Sequence, residues 1–321
     1  MSIPISMILF LDEIELFLCE MIRQIRWAKG VYCPHCKSSR IIKWGRYGKF
    51  QRYRCKDCRR TFNDKSGTIL DGSKHPLILW AGIIILLVIL HTSERKISIF
   101  LSISFKSVFL ISKKIMMKIQ SSLPIPKGIE GEIEIDESYV TCGLKGRNNR
   151  HKIKQLGRKP RKRGLKRRGR GKYSTDRPPI ISVVLRGGER LLFVAARATK
   201  RKIQSIIHQL DIRRGSTLFT DEYRIYAFLS SLFHHEFVNH SRKEYARGKA
   251  HVNSCEGEFA LFKSFILIHK GVAKYNLPLY VALYRLHIKV GQMDLFEAFR
   301  YVMEVILSDE VNPQSTNNIS K

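Results

Sequence analysis

Negative charge is scarce in this chain. Its 321 residues hold 27 aspartates and glutamates against 58 lysines and arginines, a formal net charge of +31. Such an excess makes a strong positive field, whose commonest partner is a polyphosphate backbone. Anionic membranes and ribosomal RNA are the blander alternatives. Long apolar runs are missing too. The most lipophilic stretch, residues 77–90, has fourteen residues, short of the ~20 that a membrane-spanning helix needs. It reads as a buried helix, so no membrane partner is expected. No targeting segment stands out either: residues 3–11 are apolar, but no basic region precedes them and Asp12, Glu13 and Glu15 follow directly. Finally, the seven cysteines are not spread as a secreted disulfide framework. Four of them form two Cys-x-x-Cys pairs, which points to metal and a reducing compartment.

With 44% hydrophobic content the chain can still bury a core, divided over two or three domains. Residues 5–28 have the pattern of an amphipathic helix that closes on Trp27. Cys33-Pro-His-Cys36 and Cys55-Lys-Asp-Cys58 follow, with eighteen residues between them. Two tight pairs at this separation make a tetrahedral thiolate site for Zn2+, each pair turning in a short knuckle. The segment between, with Ile41, Ile42, Trp44 and Tyr47, predicts a small hairpin. A domain this small cannot rest on its core, so the metal supplies the folding energy. The spacing says zinc ribbon; DNA, protein and pure scaffolding all stay open as its role.

Residues 76–119 read as helices. Pro76 suits the first turn before the apolar helix. Thr92 or Ser93 can cap a helix through about Phe100, residues 102–104 make a turn, and a second helix runs to about Ile119 with Lys106, Lys113, Lys114 and Lys118. Two short helices with a tight turn, the second basic, fit a helix-turn-helix that reads a major groove, and equally an ordinary helical packing module. Residues 121–131, with Pro124, Pro126, Gly128 and Gly131, have linker composition. Residues 145–172 are dominated by Lys, Arg and Gly. Such a segment cannot order itself by burial and reads as a mobile basic insertion. Its Arg158, Lys159, Arg161, Lys162, Arg163, Lys166, Arg167 and Arg168 can clamp phosphates; a solvated insertion that only raises solubility is the plainer reading.

Three carboxylates stand out downstream. Residues 132–136 alternate charged and apolar side chains, a half-buried strand that carries Asp136 to its end, facing a cleft. Residues 180–186 and 190–196, joined at Gly187-Gly188, predict an antiparallel hairpin. Residues 199–210 read as a helix, and 217–220 as a strand that delivers Asp221. Residues 223–233 read as helical and 235–238 as a short strand. Asn253 begins a helix to about Ile268, which carries Glu256 and, two turns along on the same face, Lys263. This order predicts an α/β domain, a mixed sheet flanked by helices. Singly, each residue has a plainer reading: a turn residue for an aspartate at a strand end, a first-turn acid complementing the dipole for Glu256, a solvated lysine for Lys263. His234, His235, His240 and His251 match no usual metal spacing and read as surface or phosphate-contacting residues.

IEIDESYV around Asp136, LFTDEYRIY around Asp221 and HVNSCEGEFALFKSF around Glu256 resemble the motifs of the ISXO2-like (IS1595) insertion-sequence transposases, DDE-type enzymes of bacteria and archaea. The resemblance extends to the Cys-Pro-x-Cys…Cys-x-x-Cys ribbon and the helical segment after it, and spans most of residues 20–290. It implies an RNase H-like catalytic domain. Asp136 and Asp221 carry over as the two aspartates, Glu256 as the third carboxylate, and Lys263 as the basic residue seven positions on. Family members vary in the residue that completes the triad, and Asn253, one turn before Glu256, is the alternative ligand. A carboxylate adds charge for a hard cation, which favours Glu256.

Phosphodiester cleavage needs an activated water or 3′-hydroxyl and relief of charge on the leaving oxygen, which two divalent ions ~4 Å apart can supply. Mg2+ (or Mn2+) prefers oxygen ligands. Asp136 is expected to bridge the two ions, with Asp221 on one and Glu256 on the other, and Lys263 to hold a phosphate. The expected partners are double-stranded DNA, at element ends and target, and further copies of the chain, at least a dimer on DNA. The resemblance also implies a cytoplasmic, nucleoid-associated protein of a prokaryote. Two rival readings remain: a non-catalytic zinc-ribbon and helix-turn-helix regulator derived from a transposase, and a metal-dependent nuclease without joining. The expected organisation is an N-terminal helix over 1–30, the ribbon over 31–64, the helical DNA-binding segment over 74–120, the linker over 121–131 and the catalytic domain over 132–290. Residues 291–321 form a C-terminal helix and a disordered tail.

Overall fold

The computed structural model describes residues 5–144, 170–239, 242, 246–248 and 251–308. It divides into two compact units, one combining the chain up to Leu123 with that from Leu286 onward, the other spanning Pro124–Arg285.

The first unit begins with helix α1, Ile5–Arg26. A small antiparallel sheet follows, ordered β1-β2-β3, with β1 at Ile41–Tyr47, β2 at Phe50–Cys55 and β3 at Thr61–Asn63. Trp27, Cys33, Tyr53, Cys55 and Phe62 form its core. Asp64 ties helix to sheet. Its buried carboxylate accepts from Trp27 Nε1 at 2.9 Å and from the Gln51 amide at 3.2 Å, and its carbonyl accepts from Arg26 Nη1 at 2.7 Å. A carboxylate buried without such donors is strongly destabilising.

The apolar run becomes α2, Leu77–Ile84, continued by a π-helical turn over Ile85–Ile89. Leu77, Trp80, Ile83, Ile84, Leu87 and Val88 are buried, and no helix among the described residues is long and apolar enough to cross a membrane. Pro76 offers α2 no side-chain cap, so the cap comes from another element: Glu15 of α1 accepts from the Leu77 and Ile78 amides at 2.7 and 2.9 Å. Next come α3, Glu94–Phe100, and α4, Phe105–Ser122. Ser104 Oγ accepts from the Ser107 amide at 3.1 Å and caps α4.

The second unit is built on a mixed sheet. In chain order it contains β4 (Glu132–Tyr139), β5 (Pro179–Leu185), β6 (Arg190–Val194), α5 (Lys200–Leu210), β7 (Thr217–Asp221), β8 (His234–Val238) and α6 (Asn253–Leu267). The strands lie in the order β6-β5-β4-β7-β8. β5 is antiparallel to both its neighbours, β4 and β6, whereas β7 is parallel to β4 and β8 parallel to β7. The β5–β6 turn depends on Gly187, whose φ of +74° lies in the left-handed region that glycine adopts freely. The chain continues into α7 (Leu277–Val290), and α8 (Leu295–Leu307) belongs to the first unit.

Strand periodicity sorts β4 into two faces. Ile133 and Ile135 pack with Ile181, Val183 and Leu218 and with Ile203, Ile206 and Leu210 of α5. Truncating one of these isoleucines to alanine costs about 2–5 kcal/mol. Glu134 and Asp136 lie on the opposite face, under α6, which packs on β4 and β5. β4 does not stop at Asp136. Ser138 and Tyr139 still pair with Ile180 and Pro179 of β5, while the parallel pairing with β7 ends at Glu134 opposite Phe219. After Asp221 the chain forms a 3-10 helix, Arg224–Ser231, a tighter form of the helix expected over residues 223–233. Its buried Tyr226 and Leu229 stand three residues apart, the period of that helix.

The two flanks of residues 145–169 are held side by side. The Val140 and Cys142 amides donate to Pro178 O at 3.3 Å and Asp176 O at 3.0 Å, and Gly143 bridges to Ala273. Buried Lys274 closes the base, its Nζ 3.0 Å from Asp176 Oδ1 and 3.0 Å from Tyr173 O.

Candidate active site

Parallel pairing of β4 with β7 brings Asp136 and Asp221 to the same end of the sheet. Carboxylate oxygens of Asp136, Glu137 and Asp221 lie within 4.8 Å of one another. Each is held by local bonds. Asp136 Oδ1 accepts from the Glu137 amide at 2.7 Å, and Asp221 Oδ1 from the Tyr223 amide at 3.0 Å. Glu137 Oε2 accepts from the Tyr226 hydroxyl at 2.7 Å, and its Oε1 lies 3.8 Å from Arg170 Nε. The Arg170 guanidinium in turn stacks 3.4 Å above the Tyr223 ring. Burial, then the charges of Asp221 and Glu137, push Asp136 up to about 8. Burial also pushes Glu137 up to about 7, against the Tyr226 hydrogen bond, which lowers it, and with Asp221 adding to the rise. Crowded oxygen donors that hold protons near neutral pH are suited to exchange them for a hard divalent cation.

Glu256 is itself exposed on the first turn of α6, outside this close group, though its charge still acts on Asp136. Asn253 is exposed as the first residue of α6. Lys263 is exposed two turns on, its Nζ 5.9 Å from the Phe259 ring centre.

In the ribbon, Cys33 and Cys58 Sγ are 3.6 Å apart, as are Cys36 and Cys55, and all four sulfurs lie within 4.8 Å of one another. A tetrahedral Zn2+ with Zn–S bonds of about 2.3 Å sets its sulfurs ~3.8 Å apart. The four thiols fit that ion. The Cys58 and Asp57 amides hold the Cys55 thiol below its ordinary range, whereas Cys36, which shares a hydrogen bond with it, is pushed up.

A family model described as the ISXO2-like transposase domain matches residues 128–285, and one described as a transposase zinc-ribbon domain matches residues 18–61. The chain is also 36% identical over 290 residues to an uncharacterized protein in transposable element ISH50 of Halobacterium salinarum, across 89% of this chain and 95% of that protein. The chain belongs to the ISXO2-like transposase family. The transposase-domain match contains Asp136, Glu137, Asp221, Glu256 and Lys263, and the ribbon match contains all four clustered cysteines. Both domains imply DNA binding, in keeping with the net charge of +31.

Sequence reasoning about this ISXO2-like transposase missed two glutamates. Glu137 follows Asp136 directly, so the period of a strand turns it to the opposite face; the only signal was its place in the tandem acid pair of IEIDESYV. Glu134 is fully buried beneath α6, bonded to Arg186 and Ser254. Of the four histidines His234, His235, His240 and His251, two are also built into the fold. His235 bonds Thr220 Oγ1 through Nε2 at 2.9 Å and Ser230 Oγ through Nδ1 at 3.0 Å, and burial lowers its pKa. His251 Nδ1 lies 3.2 Å from Arg186 Nη2 and 3.3 Å from Glu134 Oε1. His234 is exposed, and His240 lies outside the described residues. Among the lysines of α4, Lys106 and Lys114 are exposed and Lys113 half-exposed. Arg158, Lys159, Arg161, Lys162, Arg163, Lys166, Arg167 and Arg168 lie outside the described residues, as does the tail from residue 309.

Proposed function

We propose that this transposase binds the terminal inverted repeats of its element and performs metal-dependent phosphodiester cleavage and strand transfer at Asp136, Asp221 and Glu256. The observation that carries this reading is the convergence of Asp136 and Asp221, from neighbouring parallel strands, into one group of carboxylates within 4.8 Å. Counted from β4, the strand order is 3-2-1-4-5 with the second strand antiparallel to the first, which supports an RNase H-like catalytic domain over 132–290. The α3–α4 pair supports a helix-turn-helix over 74–120, with Lys106, Lys113 and Lys114 directed at phosphates.

Bound Mg2+ or Mn2+ supplies charge relief at the leaving oxygen and an activated nucleophile. The protein's own part is positional: Asp136 and Asp221 fix the donor oxygens from two strands, Glu256 approaches from α6, and Lys263 holds a DNA phosphate. Glu137 offers a second ligand set, favoured by its membership of the close group in place of Glu256. Glu137→Gln and Glu256→Gln separate the two sets, because the true third ligand is the one whose loss abolishes joining.

The ribbon, 31–64, presents a further face to DNA. Trp44 and Tyr47 are 45% and 66% exposed, and the Arg54 guanidinium lies 4.8 Å above the Trp44 ring. Lys43, Arg46 and Arg52 flank them, and neither β1 nor β2 contains an acidic residue. Synapsis of two element ends calls for at least a dimer, working on the nucleoid in a prokaryotic cytoplasm.

The test is strand transfer with purified protein, Mg2+ or Mn2+ and the inverted-repeat ends flanking the gene, beside Asp136→Asn. Joined products in the wild type, lost in the variant with end binding retained, are expected. Cleavage without joining identifies a nuclease, and tight binding with neither identifies a regulator.

A further inference from the structure

We propose that Glu134 is a positioning residue that fixes the first turn of α6, and with it Glu256, against the strand that carries Asp136. The inference rests on the reading of Asp136, Asp221 and Glu256 as one metal-dependent centre.

Helix α6 starts after Val252, which gives it no side-chain cap. Its first free amides need acceptors, and Glu134 supplies them from another element. Glu134 Oε2 accepts from the Ser254 amide at 2.8 Å and the Cys255 amide at 3.3 Å, and Oε1 accepts from Ser254 Oγ at 3.0 Å. The carboxylate is 0% exposed, so water does not compete for these bonds.

Arg186 completes the arrangement. Its Nε donates to Glu134 Oε1 at 2.8 Å, and its Nη1 to Glu132 Oε2 at 3.0 Å. Its Nη2 donates to His251 O at 3.2 Å, while its guanidinium stacks 4.0 Å from the Phe219 ring centre. The His251 ring joins the group, with Nδ1 3.3 Å from Glu134 Oε1. Arg186, just after β5, and the residues at the start of α6 therefore meet at one buried carboxylate of β4, with Phe219 of β7 stacked on the guanidinium.

The spacing makes this more than a helix cap. Glu134 lies two residues before Asp136 on the same strand face, and Ser254 lies two residues before Glu256 on the first turn of α6. The bond thus joins the strand next to Asp136 to the same helical turn that carries Glu256, although Ser254 and Glu256 point to different sides of that turn. Elsewhere the chain uses the same device without this proximity, in Glu15 at the start of α2. Groups that orient ligands from behind typically change metal affinity by ~10–100-fold when altered.

The experiment compares wild type, Glu134→Gln and Asp136→Asn in the full chain. Glutamine keeps the size but turns an amide NH2 toward groups that are themselves donors. Four quantities are read: thermal midpoint, affinity for element ends, amide exchange at residues 254–256, and Mn2+ binding by calorimetry. In Glu134→Gln, exchange at these amides is expected to rise about tenfold, and the Mn2+ dissociation constant to rise about tenfold, with end affinity unchanged. Faster exchange with unchanged Mn2+ binding reduces Glu134 to a fold-stabilising cap and overturns the proposal. If Glu134→Gln does not fold, Ser254→Ala, which removes the hydroxyl contact alone, carries the test at a smaller, about threefold, amplitude; unchanged Mn2+ binding there overturns it equally. Wild-type Mn2+ binding in Asp136→Asn sinks instead the metal-centre reading on which the proposal stands.

Discussion

The buried hydroxyl of Tyr226 donates to Glu137 Oε2 at 2.7 Å. This bond links the helical turn after Asp221 to the strand of Asp136, directly beneath the carboxylate group. It also orients Glu137, whose position next to Asp136 no strand rule would have favoured.

Tyr226→Phe removes the donor and leaves a buried acceptor short of a partner. Such a loss costs about 1–3 kcal/mol. Because the Tyr226 bond lowers the Glu137 pKa, the variant should also take up its carboxylate proton at a higher pH. Urea denaturation at pH 8 measures the first effect; a midpoint equal to wild type would show that the bond contributes nothing.

Asp136 and Glu137 are raised to about 8 and about 7 from ordinary values of 3.8 and 4.5. The folded, metal-free protein therefore retains protons that the unfolded chain gives up between roughly pH 4 and 8, and its stability falls as pH rises through that window. Below it both states are protonated and the penalty vanishes. Divalent cations displace these protons, so Mg2+ should raise the thermal midpoint more at pH 8 than at pH 6. Asp136→Asn should lose less stability than wild type between pH 5 and pH 8. Parallel curves for the two proteins would exclude the shift at Asp136.

Zinc removal should unfold the ribbon, since the five-residue core around Trp27 is too small to stand alone and structural zinc contributes about 10–16 kcal/mol in comparable peptides. A chelator is expected to release one Zn2+ per chain and to shift tryptophan emission, as Trp27 loses its bond to Asp64. Protein purified with zinc under reducing conditions yet holding none would refute the assignment.

Arg54→Ala tests the ribbon face. If the guanidinium above Trp44 meets a phosphate, the slope of log affinity against log salt should fall by about one, across all DNA sequences. Thermal stability should stay within about 0.5 kcal/mol, as for most surface changes. An unchanged salt slope takes Arg54 off the DNA.

Legibility followed the range of the interactions. The β5–β6 hairpin could be read because Gly187-Gly188 and the flanking apolar runs are local, and the α3–α4 division because Ser104 caps its own helix. Four cysteines in two tight pairs announced a metal cluster for the same reason. The order β6-β5-β4-β7-β8 was beyond reach, because which strand pairs with β4 depends on how α5 and α6 cover the sheet. Glu134 was invisible since its partners, Arg186 and Ser254, come from distant segments. It looked like the polar half of an alternating strand, whereas a carboxylate on that face is buried. Glu256 shows the reverse case: its motif singled it out, and the structure leaves it exposed on a helical turn near Asp136.

The base closed by Lys274 and Asp176 separates what lies beyond it from what lies beneath. The chain departs after Leu144 and returns by Arg170 through a neck whose two sides are already bonded together. The register of the Asp136 strand against β5 is therefore fixed by bonds among its own residues, residues 173–178 and residues 273–274, and replacing residues 145–169 should leave that register intact.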